Sequence, residues 1–359
     1  MRRRWVVYVL GGLLTLTITV ILLATVDLAA LGASLSTADY RLLPFMVGFG
    51  ALALATRAAR WRLFLNRRLP FRDCFHISNI GYMFNNLLPL RAGEVARVLL
   101  ATQKTPPVPL MTSLSTIFLE RIVDVLFVFG MLGFALSRLP VSDAVSIGGG
   151  ALAGLSALVL IVLFVSVHRQ TWLTSLLRRV ETVLPFLRRL PIESAVESFL
   201  DGLSSLTTPN ALLWTVIWTA LSWLFSTASN SALLLAFFGT PDPAVALLFS
   251  SMSALTVSAS SAIAYTPAGV GPYHASVIVA LAVAGFTQPE GAPVAFAIVL
   301  HGVNLMMYVA LGLFGLSQES VTLGGTLKNV RAFIAERGYL GTPGSAPPSR
   351  SANDEQDAG

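Results

Sequence analysis

Ionised side chains set within runs that otherwise suit only hydrocarbon constrain this chain more than any other feature. Segments 6–25, 42–59, 111–136, 145–167, 211–238 and 293–316 are each apolar over about 18 residues or more, enough to cross a bilayer core as a helix. In lipid every backbone amide must find its partner inside the protein, so such segments are helices. Only 12% of the residues are charged and 55% are hydrophobic, against about a quarter charged in soluble domains. The fold class expected is therefore all-α and polytopic, with six full transmembrane helices.

Two further regions are apolar but interrupted. Region 73–104 breaks at Leu88-Pro89-Leu90-Arg91-Ala92-Gly93, and region 244–287 at Thr266-Pro267-Ala268-Gly269-Val270-Gly271-Pro272. Proline removes a donor and clashes with the preceding turn, and glycine tolerates the exposed backbone that results. Each region reads as a re-entrant pair of half-helices, with two short spans as the alternative. The first run follows Arg2, Arg3 and Arg4, as in a secretory signal, but at about 20 residues it exceeds the usual signal core of about 7 to 15, so it is expected to stay as the first span.

Basic residues set the orientation. Arg2 to Arg4, then Arg57, Arg60, Arg62, Arg67, Arg68 and Arg72 around the end of the second span, then Arg169, Arg178, Arg179, Arg188 and Arg189 mark cytoplasmic connections. The opposite connections carry Asp27, Asp39, Asp143, Asp242 and Glu290, with Arg41 and Arg138 the basic residues. Both termini then lie on the cytoplasmic side of the cytoplasmic (inner) membrane. The order span, span, broken hairpin, span occurs in each half, and an odd number of crossings per half inverts the second copy. Residues 1–320 thus form one membrane domain with halves at about 1–140 and 141–320. Residues 321–359 form a cytoplasmic tail, mostly rich in Pro, Ser and Gly and largely disordered. Between the fourth and fifth spans, Arg pairs alternate with Trp, Leu and Phe from His168 to Leu206, either along the inner leaflet or as a solvated connector.

Charges at membrane depth cost about 2.5–3.5 kcal/mol each on insertion scales, so they pair or face water. Glu120 and Asp124 share a face of the third span, and Arg121 stands three residues before Asp124, which predicts a local ion pair. The acid left over needs a partner, and Arg91 or Arg97 is the natural one. Beyond the first break, Glu94 and Arg97 lie in a restarted helix whose N-terminus exposes N–H groups. With Arg91 and Arg97 beside it, this is a seat for phosphate, and Asn85 and Asn86 bond headgroup oxygens or cap freed backbone. The rival reading is a network that only fixes helix packing. In the second break His274 follows Pro267, Gly269 and Gly271, either contacting substrate or serving as a structural histidine. His301 and Asn304 share a face and either line the same cavity or bond between helices.

Other chemistries find no support. His76, His168, His274 and His301 lack the spacing of a metal site, one cysteine (Cys74) builds no framework, and Walker and Gly-x-Ser-x-Gly motifs are absent. The net charge of +6 is spread between apolar segments rather than gathered on one face, which argues against nucleic acid. No metal or cofactor is expected.

Asn85-Asn86-Leu87-Leu88-Pro89-Leu90-Arg91-Ala92-Gly93-Glu94 with Arg97, then Glu120-Arg121-x-x-Asp124, then Pro267-x-Gly269-x-Gly271 resembles the transmembrane region of lysylphosphatidylglycerol synthases and flippase-like membrane proteins, over roughly residues 5–318. The resemblance implies a multi-pass protein that translocates a lipid. The synthases add a large soluble aminoacyl-transferring domain, and about forty mostly polar residues here are too few for one, so synthesis is not carried over. Many relatives have Glu where this chain has His274.

The expected function is translocation of a phospholipid or lipid-linked intermediate with an anionic headgroup, not catalysis. Membrane lipid is the partner, and a second copy of the chain or an envelope-synthesis protein is a further candidate. The alternatives are a membrane-embedded transferase or accessory subunit of lipid or glycolipid synthesis, with Glu94 or Asp124 as base, and a structural scaffold. On the translocation reading, Arg91→Ala abolishes transbilayer lipid movement in liposomes while the protein still folds.

Overall fold

The computed structural model describes residues 27–88, 92–140, 143–168, 208–239, 241–263 and 270–339, together with Thr17. All regular elements among the described residues are helical: α1 (Leu28–Thr37), a 3₁₀ turn (Tyr40–Leu42), α2 (Leu43–Phe64), α3 (Phe71–Leu87), α4 (Ala92–Thr102), α5 (Leu110–Arg138), α6 (Asp143–His168), α7 (Pro209–Phe238), α8 (Pro243–Ile263), α9 (Pro272–Val283), α10 (Ala292–Gln318) and α11 (Leu323–Tyr339). Thr17 apart, the expected span at 6–25 lies outside the described residues, as do the connection at 169–207 and the tail beyond 339.

Three stretches are both long and apolar enough to cross a membrane: Tyr40–Phe64, Pro209–Phe238 and Ala292–Gln318. They coincide with the expected second, fifth and sixth spans. Helices α5 and α6, of 29 and 26 residues, have the length as well. In α5 the charges Glu120, Arg121 and Asp124 interrupt the apolar run. Outward-facing Phe45, Leu52, Phe118, Phe134, Leu224 and Phe314 leave the helix surfaces apolar, as lipid contact requires.

Both breaks are real interruptions. Helix α3 stops at Leu87 and α4 starts at Ala92, and the two pack as a hairpin. At 17 and 11 residues the arms are about 26 and 16 Å long, so neither spans a core of about 30 Å alone. The arms touch through glycine: a Cβ on Gly93 would sit 1.9 Å from the Gly81 carbonyl oxygen. Asn85 Oδ1 accepts from the Gly93 N–H at 2.9 Å, capping the first turn of α4 across the break. The second hairpin, α8 with α9, is clasped by Thr256 and Ser276, whose hydroxyls each donate to the other's carbonyl at 3.1 and 3.2 Å.

Two apolar cores hold the hairpins. One joins Trp61, Ile77, Ile80, Phe84, Ala96 and Leu316, around α3 and α4. The other joins Met46, Leu234, Phe249, Val277, Phe296 and Leu300, around α8 and α9. Helix α2 packs on α7, α3 on α10, and α5 on α8. At one end Lys104 pairs with Asp73 at 3.0 Å and with Glu319, and His76 Nδ1 lies 3.1 Å from Glu319. Burial pulls the Lys104 ammonium down, but hydrogen bonds from it to Glu319 and Asp73 outweigh burial and hold it above its ordinary value. At the other end Ser34 donates to the Glu290 carbonyl, and the Asp39 N–H to that of Ala236.

The close approach in the first hairpin gives a direct test. Gly93→Ala must push α4 off α3 and is expected to cost about 1–3 kcal/mol, seen as a lower thermal midpoint in detergent. Gly130→Ala, whose Cβ meets nothing within 4 Å, is expected to leave the midpoint unchanged or higher.

Candidate functional site

The site grows from α5, which carries three ionised groups within five residues. One helical turn cannot satisfy them, so the partners come from other elements. Helix α2 supplies Arg60, whose Nη1 and Nη2 donate to the two Asp124 carboxylate oxygens at 2.7 and 2.9 Å. The same Nη1 donates to Thr219 Oγ1 on α7 at 3.0 Å, and Nη2 lies 3.5 Å from Glu120. A bidentate guanidinium–carboxylate pair is among the strongest polar contacts available. Trp223 Nε1 also donates to Asp124, at 3.2 Å.

From α4, Arg97 Nη2 donates to Glu120 Oε2 at 2.9 Å, and its guanidinium lies 4.4 Å over the Trp61 ring. Trp61 is itself fixed by donating to Thr116 Oγ1 at 3.1 Å. Among the described residues Arg97 Nε and Nη1 have no hydrogen-bond partner, and the ring face meets the rest of the charge. A third cation, Arg121, pairs with Glu94 at 3.1 Å across to α4.

This network divides into a sealed part and a wet part. Arg60, Arg97 and Glu120 are 0%, 1% and 2% exposed and lie behind the wall. In front of them is a cavity of about 440 Å³, lined by Arg57, Glu94, Arg121 and Asp124 at its charged side. Both breaks reach it, the first through Asn85, Asn86 and Leu88, the second through Pro272 and Tyr273. Helices α7 and α8 add Ser226, Asn230, Ser250 and Ser253. Arg57 donates to Ser226 at 3.4 Å and lies 5.5 Å from the Trp223 ring.

In the second break Gly271 holds φ at +86°, a conformation that favours glycine, and its N–H donates to His274 Nδ1 at 3.3 Å. His274 packs edge-on against His301, which stacks on Tyr273 with centroids 4.2 Å apart. His301 and Asn304 both line the cavity. Among the described residues no group of three or more His, Cys, Asp or Glu side chains is arranged to hold a metal ion.

Residues 8–312 match the lysylphosphatidylglycerol synthase TM region. The chain belongs to that family. It is also similar to a UPF0104 membrane protein of Methanothermobacter thermautotrophicus, at 28% identity over 170 residues, which is 47% of this chain and 49% of that protein. The chain thus spans about half the length of this curated relative. No solved structure matches it. The matched region is the membrane part of the synthases, separate from their catalytic part.

For this family member the structure corrects three details of the sequence reading. Arg121 pairs with Glu94, not with Asp124 as helical spacing suggested. Arg97 does pair with Glu120, but it is buried behind the wall and does not line the cavity. Arg57 and Arg60, counted with the cytoplasmic charges, are part of the interior network. Their i,i+3 placement within an apolar helix, opposite a surplus acid on α5, was the signal available. Asn85 caps Gly93, Asn86 donates to the Tyr82 carbonyl at 2.8 Å, and both side the cavity. Arg91, Pro267 and Gly269 lie outside the described residues.

A buried pair that loses one member leaves a stranded charge, typically costing about 3–5 kcal/mol, whereas a well-packed apolar replacement of both is near neutral. Arg60→Met and Asp124→Leu are each expected to destabilise by about that amount. The double variant is expected to recover most of the loss in thermal unfolding in detergent, and strictly additive losses would show that the pair is not coupled.

Proposed function

We propose that this protein translocates a phospholipid or lipid-linked intermediate with an anionic headgroup across the cytoplasmic membrane. The carrying observation is the charged, hydroxyl-lined cavity between two interrupted hairpins in a chain whose outer surface is apolar. A lipid headgroup cannot enter hydrocarbon without losing its hydration, and unpaired burial of charged groups costs several kcal/mol. A polar chamber at membrane depth substitutes for that water while acyl chains stay in the bilayer.

In this reading Arg57 and Arg121 receive the headgroup phosphate, and Asn85, Asn86 and Glu94 border its entry. Arg60, Arg97 and Glu120 are positioning residues, holding α2, α4 and α5 in the register that presents the wall. Six spans and two re-entrant hairpins in an inverted repeat complete the proposed architecture. The pairing of α3 with α10 and of α5 with α8 supports it, because exchange of the two halves converts one pairing into the other. Two hairpins entering from opposite faces provide the two gates of alternating access, with Gly271 and His274 at one of them. Proposed orientation, from the basic connections, puts both termini in the cytoplasm.

A transferase reading is weaker because its base would have to be a carboxylate free to take a proton. Asp124 is held at both oxygens by Arg60, and Glu94 pairs with Arg121.

Purified protein in liposomes is expected to accelerate movement of an anionic phospholipid between leaflets. Arg121→Gln should lower the rate at least about tenfold, equivalent to about 1.4 kcal/mol, without lowering the thermal midpoint. The side chains of Arg121 and Glu94 are 41% and 25% exposed, so the carboxylate left behind by this change keeps contact with water. Equal rates with protein and with empty liposomes would rule out this reading.

A further inference from the structure

Resting on the transport reading, and naming its substrate class, we infer that the cavity selects a phosphodiester lipid of net negative charge whose head bears uncharged hydroxyls, and disfavours heads that carry an ammonium group.

Four guanidinium groups, Arg57, Arg60, Arg97 and Arg121, face three carboxylates, Glu94, Glu120 and Asp124. Each carboxylate is engaged: Asp124 by Arg60, Glu120 by Arg97 and Arg60, Glu94 by Arg121. Arg57 is the cation left over, making no salt bridge among the described residues. Its hydrogen bond to Ser226 is long, at 3.4 Å, and Nε has no hydrogen-bond partner among the described residues. It lines the cavity. An uncompensated charge in a low-dielectric wall attracts one anion and repels a cation, and a phosphodiester supplies a single negative charge in a form that suits a guanidinium fork.

The hydroxyl preference comes from α7 and α8. Trp223, Ser226 and Asn230 lie at i, i+3 and i+7, on one face of α7 that fronts the cavity beside Arg57. Ser226 spends its proton on the Ser222 carbonyl at 2.8 Å, and Asn230 donates to Ser250 Oγ at 3.1 Å. With its proton committed to the backbone and one lone pair taken by Arg57, Ser226 keeps a lone pair for a visitor. The complement of such a wall is a set of donors without charge, as in a glycerol or sugar head. A chamber of about 440 Å³ lies near the low end of small-molecule sites, about 300–1,000 Å³, which suits a phosphate with one polyol or sugar ring.

The test measures transbilayer movement in proteoliposomes with four probes: phosphatidylglycerol, phosphatidylmethanol, phosphatidylethanolamine and lysylphosphatidylglycerol. The wild-type protein is expected to move phosphatidylglycerol fastest, phosphatidylmethanol next, and the two ammonium-bearing lipids at least about tenfold more slowly than the first. Arg57→Gln should lower phosphatidylglycerol movement and collapse the difference, and Arg57→Lys, which keeps the charge, should retain the order. Equal or faster movement of either ammonium-bearing lipid overturns this inference while leaving transport standing. Equal movement of phosphatidylmethanol and phosphatidylglycerol overturns its hydroxyl part. No movement of any probe overturns the transport reading, and this inference with it.

Discussion

The bidentate contact between Arg60 and Asp124, extended through Glu120 to Arg97, is the constraint on which the arrangement around the cavity depends. These groups come from α2, α5 and α4, and Thr219 and Trp223 bring in α7. A lone ionised group at this depth would exclude the helix that carries it or drag in water. Paired, the groups allow four helices to meet, and they do so in one register because a bidentate fork tolerates little displacement. Packing alone is less discriminating, since apolar helix faces in lipid have no hydrophobic reason to prefer each other over acyl chains.

That register decides which charges are sealed and which are wet. Arg60 and Arg97 are buried on Glu120, with Arg97 over Trp61, and Arg57, Arg121, Glu94 and Asp124 line the chamber. The hairpins set its other limits. Gly81 against Gly93 brings α4 close enough to α3 for Arg97 to reach Glu120; a Cβ at Gly81 would meet the Arg97 side chain at 2.5 Å. The clasp of Thr256 and Ser276 does a parallel job for the second hairpin. Interrupted helices are costly in hydrocarbon, and here the exposed backbone has protein side chains beside it: Asn85 at Gly93, His274 at Gly271.

Much of this was legible in the residues. Hydrophobic runs located α2, α7 and α10, and the proline and glycine clusters located both breaks, because backbone chemistry acts locally. A surplus acid needing a cation nearby in sequence pointed to Arg91 or Arg97, and Arg97 is found on Glu120. The partner of Asp124 was not legible. Helical spacing favoured Arg121, three residues away, yet Arg121 turns to Glu94 and Asp124 takes Arg60, 64 residues distant. Arg57 and Arg60 were read as topology signals because the rule for basic residues counts them near span ends, and it cannot distinguish a guanidinium in the connection from one turned into the bundle.

The sequence by itself determined that the chain is a helical membrane protein with two broken segments and more charge at membrane depth than single helices can hold, because hydropathy and backbone donors are properties of contiguous residues. Only the tertiary structure decided which charges pair, which are sealed, and that Arg57 stands on the cavity wall without a salt bridge among the described residues. Coulombic pairing depends on separation in space, and in a bundle that separation is set by which helices pack together, not by their distance along the chain.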